Sequence, residues 1–219
     1  MTYLCAPTAL RVAPGDLAAQ VRARFANDLR RAGRYAQLCL LGAQACLDAA
    51  RGEGATGVLW ASQLGPLEAT RAALDETLAR GEPVMPFTFI AMQPHLAGAL
   101  LAQRSPQVAR TACLVLAPDA WPQLLRLAER WLADCERVLV GWVEESESAG
   151  AAHRSDWCLL RKQSAAGAIR CEHMPHSRDA AAATGEDWIA RIGAWRGTPQ
   201  APLLLGGGES AWRFTLDAR

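Results

Sequence analysis

The sequence predicts an α/β protein, a mostly parallel sheet covered by helices on both faces. Two observations carry this. Three short, near-continuous apolar runs, GVLWAS (57–62), TACLVLA (111–117) and ERVLVGWV (136–143), read as strands buried on both faces, the habit of parallel sheets. Between them lie stretches with apolar residues at helical spacing, so strands and helices alternate. With 219 residues and 51% hydrophobic content, the chain can bury one substantial core, and a single domain over 1–219 is expected, with a less regular portion from about 150.

The elements follow in order. In DLAAQVRARFANDLRR, Leu17, Val21, Phe25 and Leu29 recur every four residues and form one apolar helical stripe. RYAQLCLLGAQACLDAA is apolar all round, the mark of a buried helix. PLEATRAALDETLAR opens with Pro66, stops before Gly81 and carries Leu67, Leu74 and Leu78 on one face. FTFIAM has the β-branched and aromatic residues of a strand, and PHLAGALLAQ after it is helical. A helix follows TACLVLA, with Asp119 as its N-cap and Pro122 in its first turn. EESESAGAAHRSD is polar and aperiodic, hence a loop. DWCLLRK and AIRCEH are strands, EDWIARIGAWRG a short helix, and PLLLGGGESAWRFTLDAR two strands around a glycine turn.

Composition excludes several classes. Lys and Arg number 23 against 22 Asp and Glu, a net charge of +1, which demands neither nucleic acid nor an anionic membrane. The opening MTYLCAPTALRVAPGD lacks a basic segment followed by an apolar run, so no signal peptide is expected. No apolar stretch reaches the roughly 18 residues of a membrane span. Seven scattered cysteines without a CxxC pair suit reduced thiols, and a cytoplasmic location is expected.

Four features could carry chemistry. CEHMPH places Cys171, His173 and His176 within six residues, but no second cluster completes a zinc site, so no metal is expected. LLGGGES is followed by a strand and lacks a Lys-Ser/Thr pair, so it reads as a hairpin turn rather than a phosphate cradle. Arg30, Arg31 and Arg34 form a basic cluster that is either a solvated face or a docking surface for an acidic partner. Cys113 is the remaining candidate, a thiol that could serve as nucleophile with His95 as base. It lies six residues before Asp119, about 20 Å of extended chain, beyond the reach of that helix's dipole. Leu116, Ala117 and Pro118 reach the strand-to-helix elbow instead, and none can attack a carbonyl.

The segment ASQLGPLEATRAALDETLARGEPVMPFTFIAMQPHLAGALLA, then TACLVLA, a helix and ERVLVGWVEE, resembles the β-ketoacyl synthase-like proteins of bacterial pigment clusters of the aryl polyene, xanthomonadin and flexirubin type, relatives of chain-length factors. The likeness runs from RRAGRYAQLCLL to about Glu145. It implies half of a thiolase-like fold, layered αβα. It also implies that the ketosynthase nucleophile position falls near Leu116 or Ala117, that the two catalytic histidines belong to a C-terminal half absent here, and that His95 sits in the dimer-side loop. The function expected is that of a catalytically silent partner docked on a true β-ketoacyl synthase in polyene or fatty-acid-type biosynthesis. An acyl carrier protein is a further possible partner, and no cofactor is expected. The alternative is a stand-alone acyltransferase or thioesterase using Cys113 and His95. In the thiolase fold the strand before the nucleophile position lies beside the two-fold axis, so Thr111, Ala112, Cys113, Leu114, Val115 and Leu116 are the expected interface.

Overall fold

A computed structural model of the chain describes residues 1–26, 29, 32–50, 52–117, 119–148, 150–165, 167–175, 187–198, 201–207 and 210–216. Eight strands form one sheet: β1 (Thr2–Val12), β2 (Thr56–Ser62), β3 (Val108–Val115), β4 (Arg137–Glu144), β5 (His153–Arg161), β6 (Ile169–Pro175), β7 (Leu203–Gly207) and β8 (Ser210–Leu216). Their order is β3-β2-β4-β5-β1-β6-β8-β7. The helices are α1 (Leu17–Phe25), α2 (Arg34–Ala50), α3 (Leu67–Leu74), α4 (Pro86–Ala91), α5 (His95–Arg104), α6 (Trp121–Trp131) and α7 (Trp188–Gly197).

The sheet is mixed rather than mostly parallel. Only β3, β2 and β4 run parallel, because helices bridge β2 to β3 and β3 to β4. From β4 to β5 the chain returns through a short loop, and every pairing beyond β4 is antiparallel. β1, absent from the sequence reading, lies between β5 and β6. Its pairing with β5 shifts between Cys5 and Thr8, where Ala6 takes a positive φ and Pro7 interrupts the ladder. A bulge accommodates a proline inside a strand, and that proline is why the segment did not read as one.

One apolar core lies between the sheet and α1, α2 and α5, with Leu38, Leu40, Trp60, Leu139 and Trp157 at its centre. The other lies under α6 and α7 and holds Trp121, Trp142, Trp188, Trp212 and Phe214. Two glycines permit the first face to close. A Cβ on Gly42 of α2 would fall 2.2 Å from Ser155 Oγ, and one on Gly141 of β4 would fall 2.4 Å from the Trp157 ring.

Two helical expectations change. FTFIAM is not a strand: Pro86 opens helix α4, and Phe87, Phe89 and Ile90 are exposed with no sheet neighbour to pair with. After α3 the chain continues as a π-helical turn over Asp75–Ala79. That wider turn rotates the face, so Leu74 and Leu78 of the expected apolar stripe are exposed while Glu76 is buried. Helix α6 starts one residue later than expected, with Ala120 rather than Asp119 at its N-cap and Pro122 in the first turn. After residue 150 the chain continues in the same sheet, with β5 a central strand and β6 to β8 extending it.

Candidate functional site

Strand β3 is an edge of the sheet. Its inner side pairs with β2, Thr111 opposite Val58, Cys113 opposite Trp60 and Val115 opposite Ser62. Among the described residues no strand covers its outer side. Period-two alternation turns Ala112, Leu114 and Leu116 to the α6 face, and Cys113 to the α2 face, where Thr111 meets Gly98 of α5. Val115 ends the strand 74% exposed. The charged residue near its start, Arg110, is tied back: it lies 4.0 Å over the Trp131 ring and 3.2 Å from Asp134.

Cys113 and His95 are the pair that the acyltransferase alternative requires, and no hydrogen bond joins them. Cys113 Sγ lies 3.8 Å from the Tyr35 hydroxyl, which accepts a hydrogen bond from Trp60 Nε1 at 3.1 Å. Burial pushes the Cys113 thiol up to about 11, with Tyr35 opposing and Glu144 adding to the rise. At neutral pH it is a protonated thiol, not a thiolate. His95 is exposed at the first residue of α5 and is not among the groups acting on that thiol. Leu116 stays in the strand register, its N–H donating to Ser62 O at 3.1 Å, so hydrocarbon occupies the elbow.

The carboxyl ends of β2 and β4 hold a polar knot that sequence reasoning missed. Glu144 accepts from Gln63 N, from Ser62 Oγ at 3.1 Å and from Leu64 N at 3.4 Å. Glu145 accepts from Glu68 N at 2.7 Å, at the start of α3. Burial raises both carboxyls above the usual range. Beside them Arg34 pairs with Glu68 at 2.8 Å, and buried His153 accepts from Ser146 N at Nδ1, 3.0 Å. Burial, then Arg34, holds His153 below its ordinary value. The visible signal was the EE pair closing an apolar strand, at the sheet end where α/β proteins place their sites.

Three other expectations land elsewhere. Arg30 and Arg31 lie outside the described residues; Arg34 is the ion-pair partner just named. His176 is also outside them. Cys171 is buried on β6, and His173 contacts Ser210 Oγ at 3.1 Å and meets the Trp212 ring edge-on at 5.5 Å. Among the described residues no three metal-ligating groups converge. All seven cysteines are unpaired.

A second exposed apolar surface lies on α4, which packs against α3 and α2. Helix α4 presents Phe87, Phe89 and Ile90, preceded by exposed Met85. Buried Glu76 fixes this helix, accepting from Met85 N at 2.8 Å and Thr88 Oγ1 at 3.0 Å.

No protein-family model and no curated protein matches the chain. Solved structures do. A ketosynthase in complex with its chain length factor from Xenorhabdus doucetiae aligns with a TM-score of 0.62 at 14% identity, over 98% of this chain and 97% of that one. The ishigamide ketosynthase/chain length factor gives 0.55 at 15% identity, over 81% and 68%. A β-ketoacyl synthase from Burkholderia phymatum gives 0.53 at 13%, over 83% and 66%. At these identities the likeness establishes the fold, the thiolase-like arrangement of ketosynthases.

Proposed function

We propose that this ketosynthase-fold chain is a chain-length-factor-like protein without condensing activity, docking through β3 on a β-ketoacyl synthase in a polyene-type pathway. The observation that carries this reading is the open edge strand β3, apolar from Thr111 to Leu116 and free of an outward charge. Unpaired N–H and C=O groups along such an edge template pairing with another chain. The exposed apolar residues of α4 are a second surface that suits a protein partner. Solved neighbours of this fold include complexes of a ketosynthase with its chain length factor, and one holds an acyl-carrier protein. A carrier protein on this chain would meet the half-exposed Arg34, with Arg30 and Arg31 close in sequence.

Silence in condensation is supported by the protonated Cys113, by Leu116 at the elbow and by a His95 that makes no hydrogen bond to that thiol. The second reading, a Cys113-dependent acyltransferase or thioesterase, requires a thiolate at that position and has a thiol at about 11 against it.

The test is co-expression with a candidate β-ketoacyl synthase, followed by native mass of the purified species. A 1:1 complex that Val115→Arg dissolves is the expected result. A monomeric chain that hydrolyses acyl thioesters and loses this on Cys113→Ala would establish the second reading instead.

A further inference from the structure

At the opposite, amino end of the parallel strands, β4 and β5 set two arginines directly across from each other, Arg137 opposite Arg161. Directly opposed residues on antiparallel strands bring their Cβ atoms within about 5.5 Å, and like charges there repel. Arg137 is only 5% exposed, a placement that normally requires a carboxylate partner. It has none. Its Nε donates to Thr56 Oγ1 at 2.7 Å and its Nη1 to Gly52 O at 2.6 Å, both neutral acceptors. Arg161 donates from Nε to the Cys5 thiol at 3.1 Å, a weak acceptor. Among the described residues no carboxylate lies within 4.0 Å of either guanidinium.

Both arginines line a cleft of about 390 Å³ together with Lys162, Gln163 and the turn from Leu132 to Glu136. Three acidic residues share its lining. Asp134 is held by Arg110 at 3.2 Å, and Glu53 and Glu136 are exposed. Those two carboxylates act on Arg137 from a distance, opposing the lowering of its pKa by burial and by Arg161. The cleft is therefore cationic at its base, with carboxylates and Lys162 at its rim. Such a distribution admits a compact anion and repels an extended polyanion.

We propose that the Arg137–Arg161 pair binds the oxyanion head of a small metabolite, a phosphate monoester or a carboxylate. One oxyanion between the two guanidiniums would relieve their repulsion and engage donors now turned to neutral groups, the fork geometry that arginine offers to either head. Lys162 supplies a third positive charge at the entrance. This site lies at the amino end of the parallel strands, whereas Val115 stands at the carboxyl end of β3, and it does not rest on the docking reading.

Inorganic phosphate and succinate, each titrated into the full chain by calorimetry against sodium chloride of equal ionic strength, test it. Saturable binding of one or both beyond chloride is expected, and the better of the two identifies the head group. Arg161→Gln, at the more exposed of the two positions, weakens that binding at least tenfold while the anion-free melting temperature stays level or rises. Arg137→Lys keeps a charge but loses the fork and weakens binding as well. A response to phosphate and succinate no greater than to chloride overturns the site, and so does undiminished binding in Arg161→Gln. In either case Arg137 only ties down Gly52 in the turn after α2, and Arg161 only bonds Cys5.

Discussion

Cys113 owes its chemistry to its neighbours. A thiol on an edge strand beside a tyrosine hydroxyl, half-buried and lifted to about 11, behaves as a small hydrophobe with a weak S–H donor. Cys113→Ala is expected to leave ketosynthase binding unchanged and to cost about 1 kcal/mol of stability, a modest core truncation. Loss of pathway output by a folded variant would contradict this. His153 gives a second prediction. Its folded pKa lies below 6.5, so the folded state prefers the neutral ring and the unfolded state takes up the proton first. Stability held at neutral pH is therefore lost as pH falls below 6.5, because a proton on Nδ1 removes the acceptor that Ser146 N uses. His153→Gln should lose less stability between pH 7 and 5.5 than the parent. Glu144 and Glu145 act in the opposite sense. Their raised pKa values mean that the folded state takes up protons first, so their contribution favours folding as pH falls toward 4.5. A chemical-denaturation series over pH for His153→Gln and Glu145→Gln separates the two effects.

Among the elements, β3 and α4 carry the exposed apolar surface for different reasons. β3 is apolar because it must pair with β2 and cover Trp60, yet its outer edge and Val115 are left open. Val115→Arg is the cleaner disruption: at 74% exposure it should change stability by less than about 0.5 kcal/mol. The same charge at the rim of a desolvated apolar contact should weaken partner binding more than tenfold. Leu114→Arg disturbs folding as well, since Leu114 packs on the α6-side core. Equal binding by a folded Val115→Arg would place the interface elsewhere. Helix α4 depends on Glu76, whose carboxylate holds Met85 N and Thr88 Oγ1 from the π-helical turn. Glu76→Ala leaves these donors without their acceptor, and faster hydrogen exchange confined to residues 81–91 is the expected readout.

At the scale of the molecule, one sheet joins both ends of the chain, with β1 between β5 and β6. Strands distant in sequence cannot separate without breaking that ladder, so a single cooperative unfolding transition is expected, by far-ultraviolet dichroism and tryptophan fluorescence alike. Two well-separated transitions would argue for independently folding parts. The sequence by itself determined the alternation of strands and helices and the burial of α2, whereas β3, read as buried on both faces, is only half-buried because it is an edge. The first two are local matters of periodicity, length and residue chemistry. It did not determine that five strands are antiparallel to their neighbours, since pairing direction is fixed by where each connection returns the chain. Nor could it find β1, whose proline is tolerated only at a bulge, or turn FTFIAM into a helix. Composition favours a strand there, but a strand needs a neighbour to bond to, and none is within reach. Glu144, Glu145, Arg137 and Arg161 read as ordinary charges along the chain. Tertiary structure alone decided which of them meet, because that depends on register across strands, and register has no signature within any one segment.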